Sequence, residues 1–497
     1  VLPDQGFNDL KERLEDPVDY FLGKRFEGVT LPRDADEYYG IPPHKQYIFD
    51  QPSELEPSTD GFEPLFSFAK GGLARAWTGG SYPFNGDELA DFPISAADLA
   101  PGYDEVARRI GISGQVDDLA AFVPVHDHLQ PPVQLDESSA LLLGAYQKNR
   151  VRLNAKHRLY FGRSRIATLT RQLGDRAPCA NLGRCLWGCP SASLYTPELT
   201  LNECMGSARF RYLPGLQVTS FRFDEQRRVR AVVAKPLLGG DPIEIETSRL
   251  ALAAGALSTT RIFLQSLHEG TGELPRLDGL MDNRQVLVPF SNLRMLGRAF
   301  EPRNYQYNKL ALGMLAERPA EYVHGLVTTL TTAMIHPITQ QLPLDTASGL
   351  YVARAMHSTL GLVNLNFHDT RRPENRVWLA PRGNGALPQL HITYRPPSGE
   401  DERIAGFVRT LRRALLRLAC VVPPGMAHAR PMGASVHYAG TLPMTREERP
   451  YTTRPDGSSR DFEGLHIVDG ATFPFLPAKN ITFTLMANAV RIAQVAF

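Results

Sequence analysis

Cysteine is scarce in this sequence, which has only five among 497 residues: Cys179, Cys185, Cys189, Cys204 and Cys420. A low and odd number of cysteines argues against the disulfide framework of a small secreted protein. Long apolar runs are lacking too, and none approaches the roughly 20 residues that a membrane-spanning helix needs. The formal net charge of +1 gives no global field that would favour nucleic acid. We therefore expect neither a membrane span nor a nucleic-acid partner.

The segment Val1-Leu2-Pro3-Asp4 has neither a basic nor an apolar stretch, so no secretory signal is expected in it. A cytoplasmic or periplasmic location is the corresponding expectation. Apolar residues make up 43% and charged residues 22% of the chain, which is ordinary globular composition at a length that allows two or three domains. The 41 glycines and 39 prolines indicate many turns, as in a large α/β or α+β enzyme.

Alternating apolar residues predict a hairpin from Val218 to Phe223 and Val229 to Lys235, followed by a strand at Ile243–Glu246. The apolar run Leu250–Ala254 is typical of a buried strand and leads into a helix over Ser258–Leu267.

Two further helices are predicted in the rest of the chain. Ala96–Ile110 is expected to be mainly helical, begun by Ser95 and interrupted near Pro101-Gly102. The most apolar stretch, Gly325–Ile338, is interpreted as a buried helix.

Residues 285–425 form a second region, in which strands are predicted at Gly361–Phe367, Val377–Ala380 and Leu390–Tyr394. An amphipathic helix follows from about Ser398. Its apolar stripe consists of Ile404, Phe407, Val408, Leu411, Leu415 and Leu418.

The C-terminal tail carries the most specific pattern. His437 precedes Gly440-Thr441 and Met444, and Leu465–Gly470 is a short strand that ends on Asp469 and Gly470. Asn480 then stands just before Thr482, where a helix to Phe497 is predicted.

These C-terminal segments resemble those of the glucose–methanol–choline (GMC) oxidoreductases. Three other segments match the family in the right order: Gly71-Gly72 with Trp77, Asp91–Tyr103, and Ala253–Ala256. The resemblance spans residues 71–497. It implies an α/β (α+β) fold with a Rossmann-like FAD-binding domain and a substrate domain built on a mainly antiparallel sheet. The boundaries it implies are 1–110, 195–284 and 426–497 for the FAD-binding domain, 111–194 for a lid or insert with the cysteine-rich loop, and 285–425 for the substrate domain.

One element of the family pattern is absent. The family opens with a strand, a G-x-G-x-x-G turn and a helix that bind the FAD pyrophosphate, and no such pattern occurs in this sequence. The first βαβ unit is therefore expected to be incomplete. Truncation, processing, a second chain that supplies the segment, or a relative that has lost flavin would each explain this.

The resemblance implies that His437 and Asn480 are catalytic. Oxidation of an alcohol carbon needs a base for the hydroxyl proton, which a histidine supplies, and a polar partner that holds the oxygen as it becomes a carbonyl. The alternatives are a structural core histidine and a plain helix N-cap.

The same resemblance implies cofactor contacts at nine positions. These are Gly71, Gly72, Trp77, Val218, Ala254, Gly255, Asp469, Gly470 and Thr482. For Ala254–Ala256, the alternative is a tight strand–helix turn with no ligand. The N-terminus of the Asn480 helix is expected to face the pyrimidine end of the flavin, which becomes anionic on reduction.

Cys179, Cys185 and Cys189 occupy three of the four cysteine positions of the bacterial ferredoxin spacing, and Leu182 replaces the second. Three thiolates could hold an iron–sulfur cluster, but packing cysteines without metal are the favoured interpretation.

The leading function is thus FAD-dependent oxidation of a CH–OH group in an alcohol or sugar-like substrate, with oxygen, a quinone or a protein as the electron acceptor. Two alternatives remain: a catalytically silent GMC-like subunit, or an iron–sulfur-containing sugar dehydrogenase subunit.

Overall fold

The computed structural model describes residues 12–23, 41–183, 185–299, 301, 303–330, 343–383 and 387–497. Across these ranges, every helix is too short or too polar to cross a membrane. The helices of the described residues are α1 (Pro17–Leu22), α2 (Ala96–Ile110), α3 (Glu137–His157), α4 (Pro197–Met205), α5 (Ala256–Thr271), α6 (Thr346–Met356), α7 (Glu400–Arg417) and α8 (Thr482–Ala496).

The strands of the described residues are β1 (Ser58–Asp60), β2 (Ile112–Ser113), β3 (Leu129–Gln130), β4 (Leu159–Arg163), β5 (Leu216–Phe223), β6 (Val229–Pro236), β7 (Ile243–Glu246), β8 (Leu250–Leu252), β9 (Leu277–Asp278), β10 (Gln285–Asn292), β11 (Leu310–Met314), β12 (Val323–Thr329), β13 (Leu360–Asn366), β14 (Asp369–Thr370), β15 (Arg376–Ala380), β16 (Gln389–Thr393), β17 (Cys420–Val421), β18 (His428–Ala429), β19 (Leu465–Ile467) and β20 (Phe475–Leu476).

The largest sheet has seven strands and antiparallel pairing, in the order β17-β10-β13-β12-β11-β4, with β18 also on β10. Alternate residues of its central strands point to opposite faces. Val288, Val327 and Val363 enter an apolar core, whereas Leu287, Leu326 and Leu362 line a cavity on the other face. The predicted antiparallel sheet is confirmed, and its strands form one wall of the candidate site.

Helices α3 and α7 cover the core face of this sheet. Tyr146 and Leu153 of α3 and Leu411 and Leu415 of α7 lie in the same apolar cluster as the inward-facing strand residues. The amphipathic stripe predicted for α7 is confirmed, because its buried members all belong to this cluster and Phe407 and Val408 pack against it.

A second sheet has the order β1-β16-β15-β9 and packs on α5, with the β5-β6-β7 meander nearby. The predicted hairpin and the strand at Ile243–Glu246 are confirmed. Strands β15 and β16 lie within residues 285–425 but belong to this second sheet, so that region contributes to two sheets. The predicted domain boundaries remain a prediction.

Helix α2 is continuous from Ala96 to Ile110, so the predicted interruption at Pro101-Gly102 is wrong. A capping box between Ser95 and Asp98 holds its first turn. A Cβ on Gly102 would lie 2.3 Å from the carbonyl oxygen of Ala487. Glycine therefore lets α2 pack closely against α8, and this packing compensates for the one hydrogen bond that proline cannot donate.

The interpretation of Gly325–Ile338 as a buried helix is wrong for its first part, because residues 325–329 lie in strand β12, between β11 and β13. Val327, Thr328 and Thr329 are β-branched, which favours a strand on a half-buried sheet. Residues 331–338 lie outside the described residues.

The run Leu250–Ala254 forms a strand only at Leu250–Leu252, which pairs in parallel with β19. Its predicted full burial is wrong, since Ala251, Ala253 and Ala254 are exposed. The physical reason is that, in the part of the chain that the structure describes, β8 has a strand partner on one side alone. The helix predicted after it is confirmed as α5.

Candidate active site

Two cavities meet beside His437. The larger, which we call the sheet cavity, has a volume of about 340 Å³ and lies against the seven-stranded sheet. The smaller, which we call the turn cavity, measures about 250 Å³ and lies against the turn between β8 and α5. Leu65, Leu73 and Val436 line both, so the cavities are neighbours that share a wall. His437 and Asn480 line the sheet cavity.

His437 is buried, and a hydrogen bond fixes its ring. Its Nδ1 lies 2.9 Å from Oδ1 of Asn283. The amide nitrogen of Asn283 donates to the carbonyl oxygens of Phe367 and Pro477 at 2.8 and 2.9 Å. Because two carbonyls take the amide nitrogen, the oxygen of Asn283 must face the histidine. An oxygen can only accept there, so His437 carries its proton on Nδ1 and leaves the Nε2 lone pair available.

Burial also keeps this imidazole neutral. Removal from water lowers the pKa of His437 to about 4, because desolvation disfavours the charged ring. At neutral pH, His437 is therefore a proton acceptor whose basic atom, Nε2, faces Asn480.

Asn480 stands opposite this basic nitrogen. Its Nδ2 lies 3.4 Å from Nε2 of His437. Its Oδ1 is buried without a hydrogen-bond partner, and a Cβ on Gly80 would lie 2.5 Å from that oxygen. The side chain does not cap the helix, because the N-cap of α8 is Ile481. The structure thus brings the two predicted catalytic residues into contact at the edge of the sheet cavity.

A buried carboxylate holds the backbone that carries His437. Asp282 accepts hydrogen bonds from the amide of Gly433 at 2.7 Å, the hydroxyl of Ser435 and the amide of His437 at 3.3 Å. Burial raises its pKa to about 6. Sequence reasoning missed Asp282 and Asn283. Their one signal is a run of three polar residues, Asp282-Asn283-Arg284, between the apolar Met281 and strand β10.

A second buried hydrogen-bond network holds Lys479, the residue before Asn480. The Lys479 ammonium donates to Glu88 at 2.5 Å and to the carbonyl oxygens of Pro83 and Phe122, each at 2.8 Å. Both charged side chains are fully buried. All three ammonium donors are used, which meets the condition under which a buried charge is tolerated. The residue next to Asn480 is therefore anchored to the loop that contains Pro83 and Glu88.

Asp469 organises the turn cavity. Its Oδ2 accepts from the amide of Gly255 at 2.9 Å and from the Thr259 hydroxyl, and its Oδ1 accepts from the amide of Ala471 at 3.0 Å. Burial raises the pKa of this carboxyl. The carboxylate thus ties the end of β19 to the start of α5.

The cofactor residues predicted from sequence fall into three places. Five line the turn cavity: Gly72, Ala254, Gly255, Asp469 and Gly470. Trp77 instead lines the sheet cavity, with its indole nitrogen donating to the carbonyl oxygen of Tyr195 at 2.7 Å. Gly71, Val218 and Thr482 line neither cavity, although Gly71 precedes a lining residue and Thr482 follows Ile481, which lines the turn cavity.

The three clustered cysteines line a separate small pocket with Tyr305. Burial raises the pKa of the Cys185 thiol to about 12 and that of Cys179 above its ordinary value. Among the described residues, no group of three or more His, Cys, Asp or Glu side chains could hold a metal ion. The structure therefore gives no support to the iron–sulfur alternative.

Comparison with known proteins gives an independent view of the fold. Residues 372–489 match the family model described as GMC oxidoreductase. This segment contains both His437 and Asn480. Paromamine 6'-oxidase from Streptomyces fradiae is 22% identical over 455 residues, which cover 84% of this chain and 75% of that protein.

Solved structures of similar fold include formate oxidase from Aspergillus oryzae, with a TM-score of 0.56, 10% identity, and coverage of 86% of this chain and 84% of that chain. Pyridoxine 4-oxidase from Mesorbium loti has a TM-score of 0.53 at 14% identity and covers 84% of this chain and 81% of its own. An FAD-dependent oxidoreductase from Chaetomium thermophilum has a TM-score of 0.52 at 14% identity, with 87% and 86% coverage.

At these identities, the structural neighbours establish the α/β architecture with a Rossmann-like domain and a substrate domain. The family model adds the C-terminal segment in which the two candidate catalytic residues face each other. These comparisons support an FAD-dependent oxidoreductase whose C-terminal segment matches the GMC oxidoreductase family model.

Proposed function

We propose that this protein oxidises a CH–OH group of a small alcohol or sugar-like molecule, with His437 as the base and Asn480 as the residue that positions the oxygen. The observation that carries the proposal is the Asn283–His437–Asn480 arrangement. It presents a neutral imidazole, with its basic nitrogen exposed to a cavity and an amide beside it. FAD, when bound, accepts the hydride from the alcohol carbon.

The protein's own groups account for the proton and the oxygen. A hydroxyl beside this pair, within hydrogen-bond distance of both Nε2 of His437 and Nδ2 of Asn480, can donate its proton to the ring while its oxygen accepts from the amide. As the carbon–oxygen bond gains double-bond character, the amide donor keeps the oxygen in place. Protonation of His437 then creates an imidazolium whose Nδ1–H remains bonded to Asn283, so the ring does not have to reorient.

The turn cavity fits a flat cofactor ring. Gly72 and Gly255 line it with φ of +59° and +88°, and a Cβ built on either would meet no atom within 4 Å. Both glycines therefore leave open space directly against the backbone. We propose that Gly71, Gly72, Ala254, Gly255, Asp469 and Gly470 surround the flavin, with Trp77, Val218 and Thr482 as further contacts.

The start of α8 supports the same placement. Its N-cap, Ile481, makes no side-chain hydrogen bond to the first turn, and both Ile481 and Leu485 line the turn cavity. The partial positive charge of the helix N-terminus therefore remains available to a group in this cavity. A reduced flavin, which is anionic, is the group that this field would stabilise.

The names of two relatives, paromamine 6'-oxidase and pyridoxine 4-oxidase, support a small-molecule substrate. Oxygen, a quinone or a protein partner remains the proposed electron acceptor. The comparisons do not support the alternative of a second chain.

The test uses His437→Ala, with His157→Ala at the end of α3 as a matched control outside both cavities. Flavin absorbance is recorded first, and anaerobic flavin reduction by a panel of primary alcohols and sugars is then measured. We expect His437→Ala to retain flavin and to slow reduction by about 10²–10⁴-fold, the contribution of a positioned base. The control should be reduced at nearly the rate of the unaltered protein. Equal reduction of the two variants would remove His437 from the reaction.

A further inference from the structure

Most polar side chains of the sheet cavity are bonded to one another. The Thr328 hydroxyl donates to Oδ1 of Asn308 at 2.9 Å, and Nδ2 of Asn308 donates to the Thr78 hydroxyl at 3.2 Å. Gln285 donates to Asn366 at 2.8 Å and accepts from Arg430 at 2.5 Å. The hydrogen-bonding groups of these lining residues are largely used within the protein wall.

Asn364 differs from them. It lines the same cavity, yet its Oδ1 is buried and has no hydrogen-bond partner. The side chain stands on β13 at the centre of the sheet, opposite Leu326 on one neighbouring strand and Leu287 on the other. A buried acceptor surrounded by aliphatic groups is unfavourable unless a donor reaches it.

Asn364 lies at a distance from His437, beside which the substrate would be oxidised. Asn283, which holds His437, stands two residues before Gln285, the first residue of β10. Asn364 pairs with Leu287, two residues farther on. A strand advances roughly 3.4 Å per residue, so Asn364 lies about 7 Å beyond Gln285, away from His437.

We propose that Asn364 determines substrate specificity by accepting a hydrogen bond from a hydroxyl or amine group that the substrate carries at a distance from the carbon that is oxidised. This inference rests on the proposed function. Leu287 and Leu326 flank Asn364, and Leu362 lies farther along the sheet, so the surroundings of its oxygen are aliphatic. The substrate class is therefore an alcohol with a second hydrogen-bond donor at its far end.

The probes are straight-chain α,ω-diols of about four to ten carbons, a range that brackets the span estimated from the strand rise. Each diol is paired with its monomethyl ether, which keeps one alcohol but replaces the distal donor by an acceptor. Binding is measured by calorimetry, and anaerobic flavin reduction is measured separately.

The variants are Asn364→Leu, which removes the acceptor at similar volume, and Asn364→Asp, which keeps an acceptor. Leu416→Met, on the exposed face of α7 and outside the sheet cavity, serves as the control. Thermal melting confirms that each variant is folded.

We expect the unaltered protein to prefer the diol over its ether by roughly ten- to hundredfold at one chain length, since the ether leaves the buried oxygen unpaired. Asn364→Leu should reduce this ratio to about one, whereas Asn364→Asp and Leu416→Met should keep it.

The two readouts separate the inference from the proposed function. Reduction of the flavin with no diol preference, or with a preference that Asn364→Leu retains, would overturn the role of Asn364 alone. A diol preference in binding that depends on Asn364, without any flavin reduction, would support the role of Asn364 and contradict the proposed function.

Discussion

The side-chain oxygen of Asn283 accepts a hydrogen bond from Nδ1 of His437 across 2.9 Å, although 154 positions separate the two residues in sequence. Two backbone carbonyls hold the Asn283 amide nitrogen. The orientation of the imidazole is therefore determined by the path of the backbone at Phe367 and Pro477. We propose that Asn283 acts through His437 as a positioning residue.

Replacing Asn283 should change the pH dependence of the reaction. Asn283→Asp places a carboxylate at Nδ1, which favours the imidazolium and raises the pKa of His437 by about one unit or more. The acid limb of the pH profile, where the rate of flavin reduction falls with decreasing pH, should move up by the same amount. Asn292→Asp, a change at a buried asparagine at the far end of β10, should lower the melting temperature without moving the limb. An unmoved limb in Asn283→Asp would show that Asn283 has a structural role only.

Asn480→Asp should slow flavin reduction by roughly 10²-fold or more. A carboxylate offers no donor to the developing carbonyl oxygen, and next to Nε2 of His437 it would favour a proton on the ring that must accept one. The melting temperature should change little, because Ile481 and not Asn480 is the N-cap of α8. Asn480→His should be milder, since the GMC family is expected to accept histidine there. Equal turnover of the Asp and Asn forms would exclude Asn480 from the reaction.

Gly80→Ala should affect activity more than stability. The new methyl group would lie 2.5 Å from Oδ1 of Asn480, the end of a side chain that can move away. Displacement of the amide should lower the rate of flavin reduction by about tenfold, because misplaced catalytic groups are costly. Gly86→Ala is the matched control, since its Cβ would meet no atom within 4 Å. A similar rate in both variants would mean that the contact with Gly80 does not position Asn480.

The reaction should tolerate mild acid. Only neutral His437 accepts a proton, and its pKa is lowered to about 4 by burial. Flavin reduction in the free protein should therefore stay level from neutral pH down to about 5, and fall about tenfold per pH unit below 4. A rate profile from stopped-flow experiments with pH jumps would measure this. A limb near the ordinary histidine value of about 6.5 would contradict it.

The same shift predicts how stability depends on pH. The unfolded chain takes up a proton on His437 below about pH 6.5, but the folded protein does so only near pH 4. The free energy of unfolding should thus fall between these values, by about 3 kcal/mol from this group. Denaturant titrations of the unaltered protein and His437→Ala give the contribution as a difference. The raised pKa of Asp282 acts in the opposite direction in both proteins. If the free energy of unfolding changed with pH by the same amount in both proteins, a buried neutral His437 would be ruled out.

The sequence allowed the elements of strong periodicity to be predicted. The hairpin around Asp224, helix α7 and helix α8 were predicted from residues whose neighbours in sequence determine their burial. Asp282 and Asn283 could not be predicted as supports for His437, because their role depends on contacts with segments 150 or so positions away. Pro101 misled the prediction for α2, since the close packing of Gly102 on α8 is a tertiary effect that no local pattern reveals.

In β10, β12 and β13, alternate residues face the apolar core and the sheet cavity. Neighbouring residues are therefore selected for different properties, either stability of the fold or contact with the molecule in the cavity. Positions such as Val288, Val327 and Val363 stabilise the fold, while their immediate neighbours Leu287, Leu326 and Leu362 touch whatever occupies the cavity. Substitutions at Leu287 and Leu362 can change the substrates that are accepted without loosening the core, whereas Leu326 also belongs to an apolar cluster with Tyr82 and Tyr322. Insertion or deletion of one residue would exchange the two sets along the whole strand. Natural relatives should therefore diversify this wall by substitution, and differ in length only in the connecting loops.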